Sequence, residues 1–157
     1  MHVRLVPIDA GEYPAVLSGV AERLANEAVR SGTWPADKAA ALAQRHLDAL
    51  LTDGVNSNRQ FIFAVQVRET GERIGLIWAG VAKHDETSAI AYDIQIDQSL
   101  RCRGYGMEAA ELFEEFLLRR GVRRIRAETF GHNAASQTLL RKLGYAPALI
   151  SWLKELS

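Results

Sequence analysis

The sequence predicts an α/β (α+β) fold: a mixed, mostly antiparallel sheet with helices on both faces and one parallel β-α-β crossover. Three observations predict it. Apolar residues recur every three to four positions in the first third of the chain, alternate with a period of two through its middle, and a glycine-bearing loop then opens a helix that leads to another strand. At 157 residues the chain is expected to form a single domain (1–157), large enough for a hydrophobic core without disulfides or metals.

The elements follow in order. "VRLVPI" is predicted as a short strand stopped by Asp9, Gly11 and Pro14. From Tyr13 to Arg30, Val16, Val20, Leu24 and Ala28 stand four apart and make a helical stripe. Gly32 breaks that helix, and "SGTWPADKAAALAQRHLDALL" starts a second, with Pro35 in its first turn and Ala39, Ala43, Leu47 and Leu50 as its apolar face. The period then changes. "RQFIFAVQVRE", the turn "TGE" and "RIGLIWAGVAK" form a hairpin. "DETSA" is expected as a turn before the strand "IAYDIQI", in which Ile90, Tyr92, Ile94 and Ile96 face one way and Ala91, Asp93 and Gln95 the other. A helix runs from Met107 to Arg120 and closes on "RRG", cations at its negative end and glycine as its cap. "VRRIRAETF" is a strand, "HNAASQTLLRKLGY" a helix capped by Asn133 and ended by Gly144, and "ALISWLKEL" a final strand. The order is β-α-α-β-β-β-α-β-α-β.

Composition narrows the function classes. Nineteen basic residues balance nineteen acidic ones, which argues against a nucleic-acid binder. The single cysteine, Cys102, has no internal partner, no stretch is apolar for about 18 residues as a membrane span requires, and the N-terminus lacks a signal-peptide core. A cytoplasmic location is expected. The four histidines lack metal-ligand spacing, so no metal is expected.

The informative stretch is "SLRCRGYGMEAA", residues 99–110. Arginines and glycines directly before a helix suit an anionic ligand. A helix start exposes unpaired N–H groups and the positive end of the dipole, and glycine lets the backbone come close. Gly104-Tyr-Gly106-Met-Glu-Ala109 also fits the dinucleotide fingerprint, with Glu128 about twenty residues on. That alternative, a nicotinamide or flavin enzyme, fails on two points. Asp97 to Arg103 separate the strand from the first glycine, and residues 129–157 are too few for a second mononucleotide-binding half. No Gly-Lys-Ser/Thr follows the glycines, so a P-loop fails as well.

"IQIDQSLRCRGYGMEAA" resembles the strand, loop and helix of the GNAT N-acetyltransferases, whose motif Gln/Arg-x-x-Gly-x-Gly/Ala is here Arg101-x-x-Gly104-x-Gly106. "AETFGHNAASQTLLRKLGY" resembles the next strand and helix of the same family, and the match spans about Ile90 to Tyr145. The resemblance implies an acetyl-CoA-dependent N-acetyltransferase acting on a primary amine of a small molecule or a protein N-terminus, as a monomer or homodimer. It implies Arg101, Arg103, Gly104, Gly106 and Met107 as the pyrophosphate cradle. It implies pairing of the pantetheine arm along the strand edge at Ile94 and Ile96, and contact with Asn133 from the other side. The end of the arm would lie where "IAYDIQI" and "RIRAETF" splay apart, and there a backbone N–H can stabilise the charge that develops on the thioester oxygen.

An amine nucleophile has a pKa near ~10.4, so a base must take its proton. Glu128 is the first candidate, five residues before Asn133 where ribosomal-protein alanine acetyltransferases carry a glutamate. Asp93 is the second. Leu140 stands where many family members place a tyrosine that protonates the leaving thiolate, which leaves Ser136, Tyr92 or water for that part. The missing tyrosine also supports an alternative, a non-catalytic acyl-CoA-binding regulatory module.

Overall fold

The computed structural model describes residues 1–54 and 57–157. Two compact units are present, Met1–Asp9 with Val55–Glu128, and Ala10–Gly54 with Thr129–Ser157.

The first unit is a five-stranded sheet in the order β1 (Val3–Pro7), β2 (Gln60–Val67), β3 (Arg73–Ala82), β4 (Asp85–Ile96), β5 (Arg124–Ala127). β1 to β4 are antiparallel neighbours, and β4 and β5 form the one parallel pair among the described residues, joined through helix α3 (Tyr105–Arg119). The mostly antiparallel mixed sheet is therefore as expected. Val65, Ile77, Ala79, Ala89 and Ile96 offer the core face, and α3 covers it with Ala109, Phe113 and Leu117, spaced four apart on one stripe. Phe61, Phe63 and Phe116 meet edge to face, with centroids 5.1 Å (Phe61–Phe116) and 4.9 Å (Phe63–Phe116) apart. Burying one such ring contributes about 1.5–3 kcal/mol.

Two strand features depart from the sequence expectations. β4 begins at Asp85, so "DETSA" lies in the strand and Lys83–His84 make the turn. The Asp85 carboxylate binds the Thr87 and Ser88 hydroxyls and the Thr87 N–H, turn chemistry retained at a strand start. Ser88 and Ala89 are held extended by pairing with Arg124 and Ile125. The face assignment along "IAYDIQI" is also corrected. Trp78 opposes Asp93 but Ala79 opposes Ala91, so Tyr92 is the extra residue of a β-bulge. Cross-strand partners share a face, which groups Ala89 and Ala91 with Ile94 and Ile96, and Ile90 with Asp93 and Gln95.

In the second unit, α1 (Tyr13–Arg30) and α2 (Ala39–Leu50) pack through Ala25, Ala39 and Ala43, small side chains that let the backbones approach, with Leu24 and Trp34 alongside. Pro35 does not enter the first helical turn. It precedes α2 in a turn whose carbonyl accepts from Lys38 N–H, and Lys38 is the N-cap. Helix α4 (Ala134–Lys142) has the expected Asn133 cap, Oδ1 accepting from Ser136 N–H at 3.1 Å, and ends at Gly144 with φ 88°. The expected last strand is absent: residues 145–157 form no strand. A strand exists only through a partner's hydrogen bonds, and alternation in sequence supplies none of them.

Candidate functional site

The parallel pairing of β4 with β5 stops at Ala91 and Ala127, whereas β3 continues beside β4 to Ile96. From Tyr92 onward β4 therefore has β3 on one side and, among the described residues, no strand on the other. The bulge falls at this fork. Ile94, opposite Ile77, is half-buried, and Ile96, opposite Gly75, is buried. Among the described residues, the β4 backbone at Ile94 and Ile96 is paired with β3 alone.

The glycine loop leaves the end of that edge. Asp97 N–H donates to the Ile74 carbonyl at 2.8 Å, a short 3-10 turn covers Gln98–Leu100, and Arg101 Nε donates back to the Ile96 carbonyl at 2.9 Å. Arg101 so ties the loop to β4 with part of its guanidinium, while the exposed Arg103 makes no such tie. Cys102 (φ 61°) and Gly104 (φ 85°) both adopt left-handed backbone. Gly104 is the N-cap of α3, with no side-chain cap and nothing within 4 Å of where a Cβ would stand. The N–H groups of Tyr105, Gly106 and Met107 belong to the first helical turn, which has no intrahelical acceptors. Gly106 is an ordinary helical residue here, so of the two motif glycines only Gly104 needs its freedom of φ.

One carboxylate sits in the same turn. Glu108 Oε1 accepts the Val3 N–H at 2.9 Å, and Oε2 lies 3.4 Å from His2 Nδ1. Burial pushes the Glu108 carboxyl up, but the hydrogen bonds from Val3 and His2 outweigh it and hold the group below the ordinary glutamate range. Its charge fastens β1 to α3.

At the fork three polar side chains come together within the first unit. The Tyr92 ring lies 4.8 Å from Trp78, which is 2% exposed and donates its indole N–H to Gln60 Oε1 at 2.8 Å. Burial pushes the Tyr92 hydroxyl above the ordinary tyrosine range, and the Glu128 carboxylate adds to that shift. Glu128 is exposed, one position beyond the end of β5, and Asp93 is half-buried beside Tyr92. Of the two candidate bases, Asp93 thus stands on β4 and Glu128 directly after β5. Asn133 belongs to the second unit, where its Oδ1 serves the α4 cap, and Leu140 is half-buried on that helix. The grouping of Trp78, Gln60 and Tyr92 was not legible in the chain, because it depends on a bulge set by the neighbouring strand.

Comparison with known proteins agrees with this geometry. The family model for the acetyltransferase (GNAT) domain matches residues 2–146. A Bacillus subtilis protein, described as the uncharacterized N-acetyltransferase YycN, is 23% identical over 157 residues, covering 99% of this chain and all of the relative. The crystal structure of YycN superposes with a TM-score of 0.92 at 22% identity, over 99% of both chains. An aminoglycoside N-acetyltransferase, AAC(6')-Iy, solved in complex with CoA, has a TM-score of 0.61 at 16% identity, over 99% of this chain and 96% of its own. A parallel pair that forks beside a bulge, a left-handed glycine opening the next helix, and a family match across nearly the whole length lead to one conclusion: the chain belongs to the GNAT acetyltransferase family.

Proposed function

We propose that the protein transfers the acetyl group of acetyl-CoA directly to a primary amine of a small molecule or a protein N-terminus. The observation that carries this is the uncapped start of α3, with a left-handed Gly104 and open space above it, at the end of a strand edge left open by the fork. These residues fit the co-substrate. The N–H groups of Gly104 to Met107 and the cations of Arg101 and Arg103 would hold a pyrophosphate, and the backbone at Ile94 and Ile96 the pantetheine amides. Acetyl-CoA supplies an acyl group on a thiolate, a fairly good leaving group.

The remaining chemistry falls to the chain. Glu128 receives the proton that the ammonium must lose before its nitrogen attacks the thioester carbon, and its exposure lets it pass that proton to solvent. A backbone N–H at the bulge stabilises the oxyanion. When the C–S bond breaks, the thiolate needs a proton. Tyr92, held protonated by burial and by Glu128, is the hydroxyl at the fork that can donate it in place of the tyrosine replaced by Leu140. Asp93 is the reserve base.

The test is acetyl-CoA consumption over a panel of amines, with CoA affinity measured by calorimetry in parallel. Turnover with at least one amine is expected, and Gly104→Val, checked for folding by circular dichroism, should bind CoA at least tenfold more weakly. CoA binding without turnover on any amine would favour the regulatory module that Leu140 suggests. Unchanged affinity in folded Gly104→Val would remove the site.

A further inference from the structure

Trp78 is a wide aromatic plate with one polar atom, and it is all but fully buried. A buried indole N–H needs an acceptor, because left unpaired it loses its hydration and gains nothing in return. Gln60 Oε1 supplies one at 2.8 Å. The bond runs diagonally between strands, since Gln60 stands opposite Gly80 and Trp78 stands opposite Ile62. Gly80 makes the diagonal possible. A Cβ there would lie 2.9 Å from Gln60 Cδ and closer still to both amide heteroatoms, so the amide lies across the glycine. Any side chain at position 80 would displace it.

The same indole meets Tyr92, with ring centroids 4.8 Å apart and planes tilted by 39°. Tyr92 is the β4 residue that most needs such a contact. The register passes from Trp78–Asp93 to Ala79–Ala91, so Tyr92 has no cross-strand partner and the pleat does not set its direction. The Trp78 face supplies that direction instead. Contacts thus cross three strands of one sheet: an amide on β2, an indole on β3 and a phenol on β4. The phenol ends at the fork, where the Glu128 carboxylate acts on it through space and Asp93 stands next to it on β4.

We infer that Gln60 is a positioning residue for the acyl transfer: by fixing the Trp78 indole it aims the Tyr92 hydroxyl at the fork, and Gly80 leaves it the room. This rests on the reading that Tyr92 returns a proton to the thiolate. Gln60 acts only through the indole. A hydroxyl that donates to a departing sulfur must already point at it, since a misplacement of about 1 Å can cost roughly 10² in rate. An apolar side chain of the same length would fill the space of Gln60 but orphan the indole N–H. The indole would then turn toward another acceptor and carry the Tyr92 ring with it. Such a substitution separates the hydrogen bond from the packing.

Gln60→Met keeps length and volume and removes the acceptor. In the free protein, NMR of ring-labelled tyrosine should show the Tyr92 titration moved down toward the ordinary range as its cover loosens. With acetyl-CoA and the amine consumed fastest in the panel, kcat should fall roughly tenfold or more. Amine KM and calorimetric CoA affinity should stay within about twofold. Gln60→Glu restores an acceptor of the same length and should restore most of kcat. If Gln60→Met fails to fold by circular dichroism, Gly80→Ala displaces the same amide and takes its place. An unmoved Tyr92 titration overturns the proposal whatever the amine. Unchanged kcat in Gln60→Met, when Tyr92→Phe is slow, overturns it as well. Full turnover in Tyr92→Phe instead removes the reading of Tyr92 as proton donor, and the proposal falls with it.

Discussion

β4 and the segment 146–157 are written in the same alphabet, and they end in opposite states. Both are rich in β-branched, aromatic and aliphatic residues with few charges at their centre. β4 is flanked by β3 along its length and by β5 over Ser88–Ala91, and its alternate residues reach a core under α3. Residues 145–157 form no strand and leave five large side chains exposed. The difference lies outside both stretches. Local preference selects segments able to be strands, and the neighbour decides which of them become one.

The largest expected effect comes from removing β4's neighbour. At Gly75 a Cβ would stand 2.0 Å from the Gln95 carbonyl oxygen and 3.0 Å from its carbon, both backbone atoms of β4. Gly75→Val should therefore cost about 3 kcal/mol or more in denaturant unfolding, or prevent folding, because the strands must move apart. Gly80 sharpens the contrast on the same strand. The atoms nearest its Cβ would be the end of the Gln60 side chain, at 2.5 Å from Nε2 and 2.6 Å from Oε1, so Gly80→Ala should cost about 1 kcal/mol as Gln60 turns away from Trp78.

The second prediction concerns the stretch where β4 loses a neighbour. If the fork at Tyr92 is where the acyl group reacts, Glu128→Gln should keep CoA affinity and lower turnover by roughly 10². Activity retained in Glu128→Gln but lost in Asp93→Asn would move the base to the other strand. Loss of CoA binding together with activity would make Glu128 structural.

These comparisons also mark how far the sequence could be read. α1, α4 and the C-terminal end of α3 were legible because their signals are local: Asn133 caps α4 through its own Ser136, and Gly121 and Gly144 terminate helices with φ of 91° and 88°. The left-handed glycine before α3 was legible for the same reason, since a glycine ahead of a helix is a short-range device. Features that depend on a partner were not. The bulge at Tyr92 reflects the register with Trp78 and Ala79, and it put Ile90 and Ile94, expected on one face, on opposite faces. "DETSA" carries turn residues yet is drawn into β4 by Arg124 and Ile125, and Pro35 sits in a turn before α2 because Lys38 supplies the helix start. The final strand was expected from alternation alone, and alternation does not provide an edge.

A third, smaller effect tests how β1 is held to this sheet. Glu108 is depressed in the folded protein, so it contributes stability that is fully present above the ordinary glutamate pKa of about 4.3 and is lost as pH falls through the folded value. The wild type should therefore lose stability steeply below about pH 4.3. Glu108→Gln should be about 1 kcal/mol less stable at neutral pH and should show a shallower acid slope. Equal slopes in the two proteins would mean that the bond to Val3 N–H does not depend on the charge.

The smallest expected effect is read at a single hydroxyl. Tyr92 is raised first by burial and then by the Glu128 carboxylate, so two variants separate the causes. Glu128→Gln removes the charge and leaves the Trp78 contact, and the Tyr92 pKa should fall part of the way toward the ordinary value near ~10. Trp78→Leu opens the ring to water and should lower it further, since burial is the larger cause. The sign carries to stability: a tyrosine raised by folding holds its proton more tightly in the native state, so stability declines as pH rises past about 10. That decline should be gentler in Glu128→Gln than in the wild type. Two-dimensional NMR of ring-labelled tyrosine follows Tyr92 apart from the other tyrosines. A titration unmoved by Glu128→Gln would separate the two side chains electrically, and with them the proposal that one takes a proton at the fork while the other gives one.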